Sequence, residues 1–169
     1  MKGNETMKIT TPTDRSIVIT RAFDAARALV WEAMSAPELL KRWLLGPPGW
    51  SMVVCEEDHR VRGAFRYVWR GPGGAEMSMR GLYREVVATE RLVRTESFEV
   101  AGKAQGEKLS TVVLADQGRR TFVTLTMLFP SREARDAAIS SGAAPNYDRL
   151  DEVLASAFAG EFQKSASER

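Results

Sequence analysis

The sequence is nearly devoid of the two residue types that most often carry metal and nucleophilic chemistry, with one cysteine and one histidine among 169 residues. Cys55 alone cannot form an internal disulfide bond, which predicts a reducing, cytoplasmic environment. One cysteine and one histidine also fall short of the four ligands of a structural zinc site. We therefore expect a cytoplasmic protein without a metal or another cofactor.

The single histidine, His59, lies in a run of polar residues at positions 56–60. One interpretation is a general base that pairs with a neighbouring carboxylate. The other, which we favour, is a turn residue between two strands, because polar residues are common in turns. The sequence thus predicts no catalytic residue, and it favours a binding protein over an enzyme without deciding between them.

Long apolar runs are also missing. No segment approaches the roughly 20 residues that cross a bilayer, so no membrane span is predicted. Residues 1–14 lack the apolar core of a secretory signal, and we expect a flexible tail there, followed by a single domain over residues 15–164. The 24 basic and 22 acidic residues are mixed along the chain. This mixture argues against a face that binds nucleic acid.

Alternating apolar and polar residues predict a chain rich in β-strands. In residues 64–70, for example, Phe65, Tyr67 and Trp69 fall on one face and two arginines on the other. The predicted strands are residues 16–23, 50–57, 64–70, 76–87, 92–100, 108–115 and 120–129. Short helices are predicted at residues 24–34 and 37–43, with Asp24 and Ser35 as N-caps, and after residue 131.

The last predicted helix, residues 146–162, organises the interpretation of the whole chain. Its apolar side chains form one stripe at helical spacing, made of Tyr147, Leu150, Leu154, Ala157 and Phe158. Asn146 stands where an N-cap belongs. An amphipathic helix of this length needs an apolar surface to lie on, and the predicted strands supply one. The sequence therefore predicts an α+β domain in which this helix packs on an antiparallel sheet.

Five stretches carry a resemblance to a known superfamily: ITRAFDAARALVWEAMSAPELLKRW, DHRVRGAFRYVWRGPGG, RGLYREVVATERLVRTESF, FPSREARDAAISSG and YDRLDEVLA. Together they resemble the START-like (SRPBCC) superfamily over residues 16–158, and within it the bacterial proteins similar to the C-terminal domain of the activator of the Hsp90 ATPase. The resemblance implies a helix-grip fold, with a curved antiparallel sheet wrapped around a long C-terminal helix and two short helices after the first strand. Relatives typically carry Pro where this chain has Ala26 and Gly where it has Arg62.

The superfamily includes proteins similar to lipid carriers, hormone receptors, polyketide cyclases and chaperone regulators, so the fold alone does not decide the function. From the resemblance we expect an internal cavity, between the sheet and the final helix, that binds a small apolar or aromatic molecule. The alternatives are an Hsp90-type co-chaperone or stress-response regulator, and a cyclase-like enzyme that uses the same cavity. Against the co-chaperone, the eukaryotic activators have an additional N-terminal domain, for which this chain has no room. A homodimer is compatible with all three.

The expected cavity has a lining rich in aromatic residues and methionine. Its candidate ligand-binding residues are Trp43, Phe65, Tyr67, Trp69, Met77, Met79, Tyr83, Leu150 and Leu154. The hydroxyls of Tyr67 and Tyr83 would orient a polar group of the ligand. The same residues would equally form a plain hydrophobic core, and the sequence leaves both interpretations open. Arg94 and Glu96 alternate with Thr95 in a predicted strand. If their face points inward, they are buried charges that need partners and hence site candidates; we favour the other interpretation, in which they face solvent as cross-strand pairs.

Overall fold

The computed structural model describes residues 7–142 and 144–157. This part of the chain is an α+β domain with one antiparallel sheet of eight strands and four α-helices. The strands are β1 Lys8–Thr10, β2 Ser16–Phe23, β3 Ser51–Glu57, β4 Ala64–Arg70, β5 Glu76–Val87, β6 Arg91–Val100, β7 Lys103–Gln117 and β8 Arg120–Leu128. The helices are α1 Arg27–Ala33, α2 Pro37–Trp43, α3 Arg132–Ser140 and α4 Tyr147–Ala157. None of these helices combines the length and the apolarity needed to cross a membrane.

The curved sheet has the strand order β1-β2-β8-β7-β6-β5-β4-β3. From β3 to β8 the chain runs as an antiparallel meander, in which each strand pairs with the next. Strand β2 lies on the other side of β8, in register from Ser16 opposite Leu128 to Phe23 opposite Thr121. Helices α1 and α2 therefore connect β2 to β3, which forms the far edge of the sheet.

Strands with a buried inner face agree closely with the sequence prediction. β2, β4 and β5 occupy the predicted residues 16–23, 64–70 and 76–87. β7 begins at Lys103, where the sequence predicts a loop, because its first five residues are exposed and show no apolar alternation. β1 is not predicted either; its three residues are all exposed, and it pairs with β2 through Lys8 opposite Thr20. Backbone pairing without burial leaves no periodic pattern in the sequence.

Helix α4 contributes a buried stripe to the hydrophobic core. Its buried residues are Tyr147, Leu150, Val153 and Leu154, which form one cluster with inner-face residues of β2, β4, β5 and β8. Phe23 of β2 meets Tyr147 edge to face, with 5.2 Å between the ring centroids. Val153 was absent from the predicted stripe. Phe158 and the rest of the predicted helix lie outside the described residues.

Two polar residues that the sequence predicts as helix caps have other partners. The Asn146 side-chain oxygen accepts hydrogen bonds from the backbone N–H groups of Leu45 and Gly46, both at 3.2 Å. Its amide nitrogen donates to the Gly46 carbonyl at 3.3 Å. Helix α2 has no side-chain N-cap, and the Ser35 hydroxyl instead donates to the Trp31 carbonyl at 2.6 Å. The start of α4 is therefore tied to the loop that follows α2.

Candidate functional site

Two rows of large side chains line the inner face of β4 and β5. Phe65, Tyr67 and Trp69 of β4 are buried. In the register of the two strands, Tyr67 lies opposite Met79 and Trp69 lies opposite Met77. Residues that pair across neighbouring strands touch on the same face, so the two rows form the continuous surface that the alternation predicts.

The nine candidate residues from the sequence lie together. Eight belong to the buried core cluster, and Met77 packs against it. Trp43 of α2 donates its indole N–H to the Ala33 carbonyl at 2.8 Å, and Trp69 donates to the Leu44 carbonyl at 2.8 Å. Because both indole N–H groups bond to the backbone, these two rings present only apolar surface to their neighbours. The polar groups of this surface therefore belong to other residues.

Strand β6 places charged residues on the same inner face. Arg94 lies opposite Tyr83, which is buried, and Phe98 lies opposite Met79. Glu96 stands between Arg94 and Phe98 on that face and is itself buried. The expectation that Arg94 and Glu96 face solvent is therefore wrong, because residues paired across two strands share a face of the sheet.

Glu57, the last residue of β3, is the centre of a hydrogen-bond network on this face, and its side chain is only 1% exposed. The Tyr67 hydroxyl donates to Oε1 of Glu57, and the Tyr83 hydroxyl donates to Oε2 at 2.6 Å. Nη1 of Arg94 donates to the Tyr67 oxygen at 2.9 Å and to the Tyr83 oxygen at 3.3 Å. It lies 3.7 Å from Oε1 of Glu57. Each tyrosine thus links the buried carboxylate to the guanidinium.

A second carboxylate extends the network. Glu96 accepts hydrogen bonds from Nε of Arg94 at 2.8 Å and from the Ser110 hydroxyl at 2.7 Å. Nζ of Lys108 lies 3.5 Å from Glu96. We call the whole group the buried polar cluster; it consists of Glu57, Tyr67, Tyr83, Arg94, Glu96, Lys108 and Ser110. When its two carboxylates and its two basic side chains are all ionised, the net charge of the cluster is zero.

The two carboxylic acids of the buried polar cluster are shifted in opposite directions. Burial raises the pKa of Glu57, and the nearby Arg94 and the tyrosine hydroxyls reverse only part of that effect. Burial acts to raise the pKa of Glu96 too, but Arg94, Lys108 and the hydrogen bond from Ser110 outweigh it and hold that pKa below its usual value. Two acids whose pKa values are driven apart are typical of functional sites.

The tyrosines and the arginine keep their protons. Burial raises the pKa of Tyr67 and of Tyr83, so both hydroxyls act as donors. Burial opposes the charge of Arg94, but the surrounding tyrosines and carboxylates favour it and raise its pKa. The guanidinium carbon of Arg94 also stacks over the Phe65 ring, 4.0 Å from its centroid. A stacked, charged arginine is held in one position by these contacts.

Gly81 of β5 makes room for this arrangement. It lies opposite Phe65, and a Cβ atom there would clash with the Thr95 carbonyl oxygen and approach a Phe65 ring carbon to 2.8 Å. No other residue type fits without a shift of the backbone. The glycine therefore keeps β5 close to β6 beside the ring that supports Arg94.

His59 lies in the loop between β3 and β4, as the sequence predicts. Its ring packs edge-on against Trp31 and Tyr83, at 5.3 and 5.1 Å between centroids, and its Nε2 is 3.2 Å from the Ser35 hydroxyl. Burial, and then the charge of Arg94, lower the pKa of His59. The neutral ring therefore packs against one edge of the Tyr83 ring.

A further buried charge, Arg21 of β2, lies against α4, and sequence reasoning missed it. Its side chain is 7% exposed and pairs with Asp148 at 3.1 Å and with Asp151 at 3.4 Å. Within the described part of the chain, neither its Nε nor its Nη1 makes a hydrogen bond, and the 3.1 Å contact of Nη1 with Asp148 is an ion pair without hydrogen-bond geometry. Its guanidinium carbon is 5.0 Å from the centroid of Phe23. The apolar alternation of β2 places position 21 on the inner face of the sheet, and this pattern could have predicted that Arg21 is buried.

The outer face of the sheet carries a groove of about 250 Å³. Its charged lining residues are Arg66, Glu76, Arg80 and Glu99. This groove is polar and lies on the opposite side from the expected apolar cavity. Among residues 7–142 and 144–157, no group of three or more His, Cys, Asp or Glu side chains is arranged to hold a metal ion.

Most of the chain matches a known protein family. Residues 24–155 match the model described as Activator of Hsp90 ATPase homolog 1-like protein. The chain belongs to this family. No protein of curated function shows significant similarity to it.

Solved bacterial structures share the fold of this Activator of Hsp90 ATPase homolog 1-like chain. A protein from Rhodobacter sphaeroides is 28% identical, with a TM-score of 0.79, and the match covers 89% of this chain and 98% of that one. A protein from Arthrobacter aurescens is 25% identical, with a TM-score of 0.76 and coverage of 88% and 91%. A protein from Nitrosomonas europaea is 25% identical, with a TM-score of 0.73 and coverage of 85% and 97%.

In the described part of this Activator of Hsp90 ATPase homolog 1-like chain, three non-glycine residues have a positive φ, namely Arg62, Thr89 and Ala101, and Arg62 is bonded to the backbone of Tyr83. Arg62 has a φ of +70°, in the left-handed region, at the position where the resemblance leads us to expect glycine. Its N–H donates to the Tyr83 carbonyl at 2.8 Å, and the Tyr83 N–H donates to the Gly63 carbonyl at 2.9 Å. The strained turn therefore fixes the backbone of Tyr83, whose hydroxyl belongs to the buried polar cluster.

Proposed function

We propose that the chain binds a small molecule with a largely apolar or aromatic body, between the inner face of the sheet and helix α4. The buried polar cluster orients the single polar end of this ligand. The family fold is commonly a ligand-binding domain, which supports the proposal at the level of the fold.

The observation that carries the proposal is the buried polar cluster itself. Removing a charge from water costs several kcal/mol per ion, and replacing a buried ion pair by apolar residues is often neutral or stabilising. The need for stability therefore does not explain two carboxylates and two cations gathered on the inner face of the sheet beside large apolar side chains. Recognition of a polar group on a ligand does explain them.

The apolar and polar residues have separate roles in this proposal. Phe65, Trp69, Leu150 and the other candidate residues supply affinity, at roughly 25 cal/mol per Å² of apolar surface removed from water. The polar cluster that contains Tyr67 and Tyr83 selects the orientation, since the polar end of a ligand buried away from it would lack a partner, at a cost of about 1–3 kcal/mol.

The test is a thermal-shift screen with fatty acids, flavonoids and small polyketides, followed by calorimetry on the compounds that stabilise the protein. A ligand present at 100 times its Kd should stabilise the folded state by about 2.7 kcal/mol. Trp69→Ala should weaken every ligand, whereas Tyr67→Phe should weaken only ligands with a polar group. The matched control is Leu82→Ala, because Leu82 is on β5 but exposed. If no compound in the panel stabilises the wild type, the proposal fails.

A second candidate is acid–base catalysis in the same interior, as in a cyclase-like enzyme. The specific observation is the raised pKa of Glu57 beside two tyrosine donors and a guanidinium. A carboxylic acid with a raised pKa transfers protons efficiently near neutral pH. Conversion of any bound polyketide, followed by mass spectrometry and absent from Glu57→Gln, would favour the enzyme over the carrier.

A third candidate comes from the family description, which names an activator of the Hsp90 ATPase. ATP turnover by the cognate chaperone, measured with and without this protein, tests it. We expect no change, and a several-fold stimulation would place the co-chaperone function first.

A further inference from the structure

Arg94 has one nitrogen that the buried polar cluster does not use. Nε donates to Glu96 and Nη1 donates to both tyrosines, whereas Nη2 makes no hydrogen bond to any residue that the structure describes. The side chain is 18% exposed, the most open of the cluster's charged groups after Lys108. A guanidinium with two of its three nitrogens fixed holds the third, with two N–H donors, in a defined direction.

The charge balance of the buried polar cluster limits what Nη2 accepts. With Glu57 and Glu96 both ionised, they neutralise Arg94 and Lys108. A cationic ligand would have to displace Arg94 from carboxylate and tyrosine partners that are already satisfied. A dianion such as a phosphate monoester would bring two negative charges beside two carboxylates. A single negative charge is accommodated if one carboxylate becomes neutral, because like charges that share a site cannot both ionise freely.

Glu57 is the carboxylate that can become neutral. Glu96 is held in the ionised form by Arg94, Lys108 and Ser110, whereas burial favours the protonated form of Glu57. The titratable and charged groups that interact with Glu57 are Cys55, Tyr67, Tyr83 and Arg94. His59 lies one contact further away, against Tyr83, and Glu96 does so against Arg94. Of these, the tyrosines and Cys55 stay protonated near neutral pH, and the pKa of His59 is lowered, so no neighbour competes for the proton.

We propose that the polar end of the ligand is a carboxylate that binds Nη2 of Arg94, and that Glu57 takes up one proton from solvent as the carboxylate binds. This inference rests on the proposed binding function and names its ligand class, an apolar or aromatic monocarboxylic acid. Once Glu57 is neutral, it needs fewer donors, and a hydroxyl of Tyr67 or Tyr83 becomes free to turn to the ligand. No covalent bond changes; the proton moves from water to the Glu57 carboxylate.

The experiment compares an acid with its neutral amide of the same shape, so that only the charge differs. The probes are 2-naphthoic acid with 2-naphthamide, and decanoic acid with decanamide, each measured by titration calorimetry at pH 6, 7 and 8. The acid should bind at least about tenfold more tightly than the amide, as expected for a hydrogen bond to a charged group. Titrations in phosphate and Tris buffers, which differ in ionisation enthalpy, count the protons; we expect an uptake approaching one per carboxylate bound.

The proposal fixes the direction in which the affinity for the acid changes with pH. The affinity for the acid should rise as the pH falls from 8 to 6, by at most about tenfold per pH unit, because one proton enters with the ligand. The acids themselves stay ionised over this range, since carboxylic acids titrate near pH 4. The affinity for the amide should not change.

Variants separate the roles of the two residues. Glu57→Gln mimics the protonated acid, so it should abolish proton uptake and bind the acid at pH 8 at least as tightly as the wild type does at pH 6. Arg94→Gln should abolish the preference for the acid. Arg94→Lys retains the charge and should keep part of that preference. Such a partial rescue would show that the effect of Arg94→Gln comes from the lost charge and not from a folding defect. Arg80→Gln, on the outer face, is the matched control and should behave as the wild type.

The outcomes are distinct. Equal binding of acid and amide, or binding of the acid without proton uptake, overturns the inference and leaves the proposed function intact. If neither member of either pair binds while other compounds of the screening panel do, the ligand class is wrong and the binding function stands. If neither the probe pairs nor any compound of the screening panel binds, the inference and the proposed function both fail.

Discussion

Leu150→Ala distinguishes an open cavity from a filled core, the two interpretations that the sequence leaves open. Leu150 lies on the face of α4 that packs into the core and is 0% exposed. The change removes about three methylene equivalents, whose transfer from water contributes about 2.4 kcal/mol at roughly 0.8 kcal/mol each. If neighbouring side chains fill the space around Leu150, the new void adds a further cost, and leucine-to-alanine changes then reach about 3–5 kcal/mol. If Leu150 already borders an open cavity, only the transfer part is lost.

Urea denaturation followed by tryptophan fluorescence measures this difference, because the midpoint and slope give the free energy of unfolding. A loss near 2.4 kcal/mol, partly recovered by a bound ligand from the screening panel, supports the cavity. A loss of about 4 kcal/mol or more, with no recovery, supports the filled core. Glu152→Ala, an exposed position on the same helix, serves as the control and should change stability by less than about 0.5 kcal/mol. A loss below about 1 kcal/mol for Leu150→Ala would refute the packing of α4 altogether.

The remaining predictions concern the strained turn, the close strand contact and the two carboxylates. Arg62→Gly should stabilise the fold by about 0.5–1 kcal/mol in the same urea assay, because it relieves a left-handed backbone; a loss of stability would contradict this. Gly81→Ala should destabilise by about 1–3 kcal/mol or more, since the new methyl group meets backbone; a neutral result would mean that the β5–β6 contact is looser than described. Burial raises the folded-state pKa of Glu57 above its ordinary value. The contribution of Glu57 to stability is therefore lost as the pH rises through that raised pKa, and Glu57→Gln should remove this loss. Glu96 has a lowered pKa, so its contribution to stability is lost as the pH falls through that lowered pKa, and Glu96→Gln should remove this opposite slope. Equal pH profiles of stability for both variants and the wild type would refute both assignments.

Burial of one face made much of the fold predictable from the sequence. The row Phe65, Tyr67, Trp69 alternates without interruption, so β4 and its inner face follow directly. Helix α4 was equally clear from its apolar stripe. Elements without a buried face, such as β1 and the start of β7, carry no such pattern and were missed.

The buried polar cluster could not be predicted, for two physical reasons. Sequence patterning assigns charged residues to solvent. Glu96 and Arg21, which are buried, and Arg94, which is largely buried, are exceptions because they have partners on other elements. Those partners are distant in the sequence and become visible only in the sheet register. In addition, β3 has a register shift between Met52 and Val54, which changes the face on which later residues lie. The shift places Glu57 on the inner face, where a simple alternation from Met52 would not.

The position of β2 in the sheet predicts the order in which the domain assembles. Within the meander, each strand from β3 to β8 pairs with the next strand in sequence, so each hairpin closes a short loop. β2 instead pairs with β8 at the other end of the chain, and closing so long a loop is slower and entropically less favourable. We therefore expect the meander to form first and to bring Glu57, Tyr67, Tyr83 and Arg94 together while water still reaches them. The last step is then the docking of β2, α1 and α2, and it removes water from ion pairs that already exist. Pulsed hydrogen exchange during refolding would detect this as amide protection in β4 and β5 that precedes protection in β2.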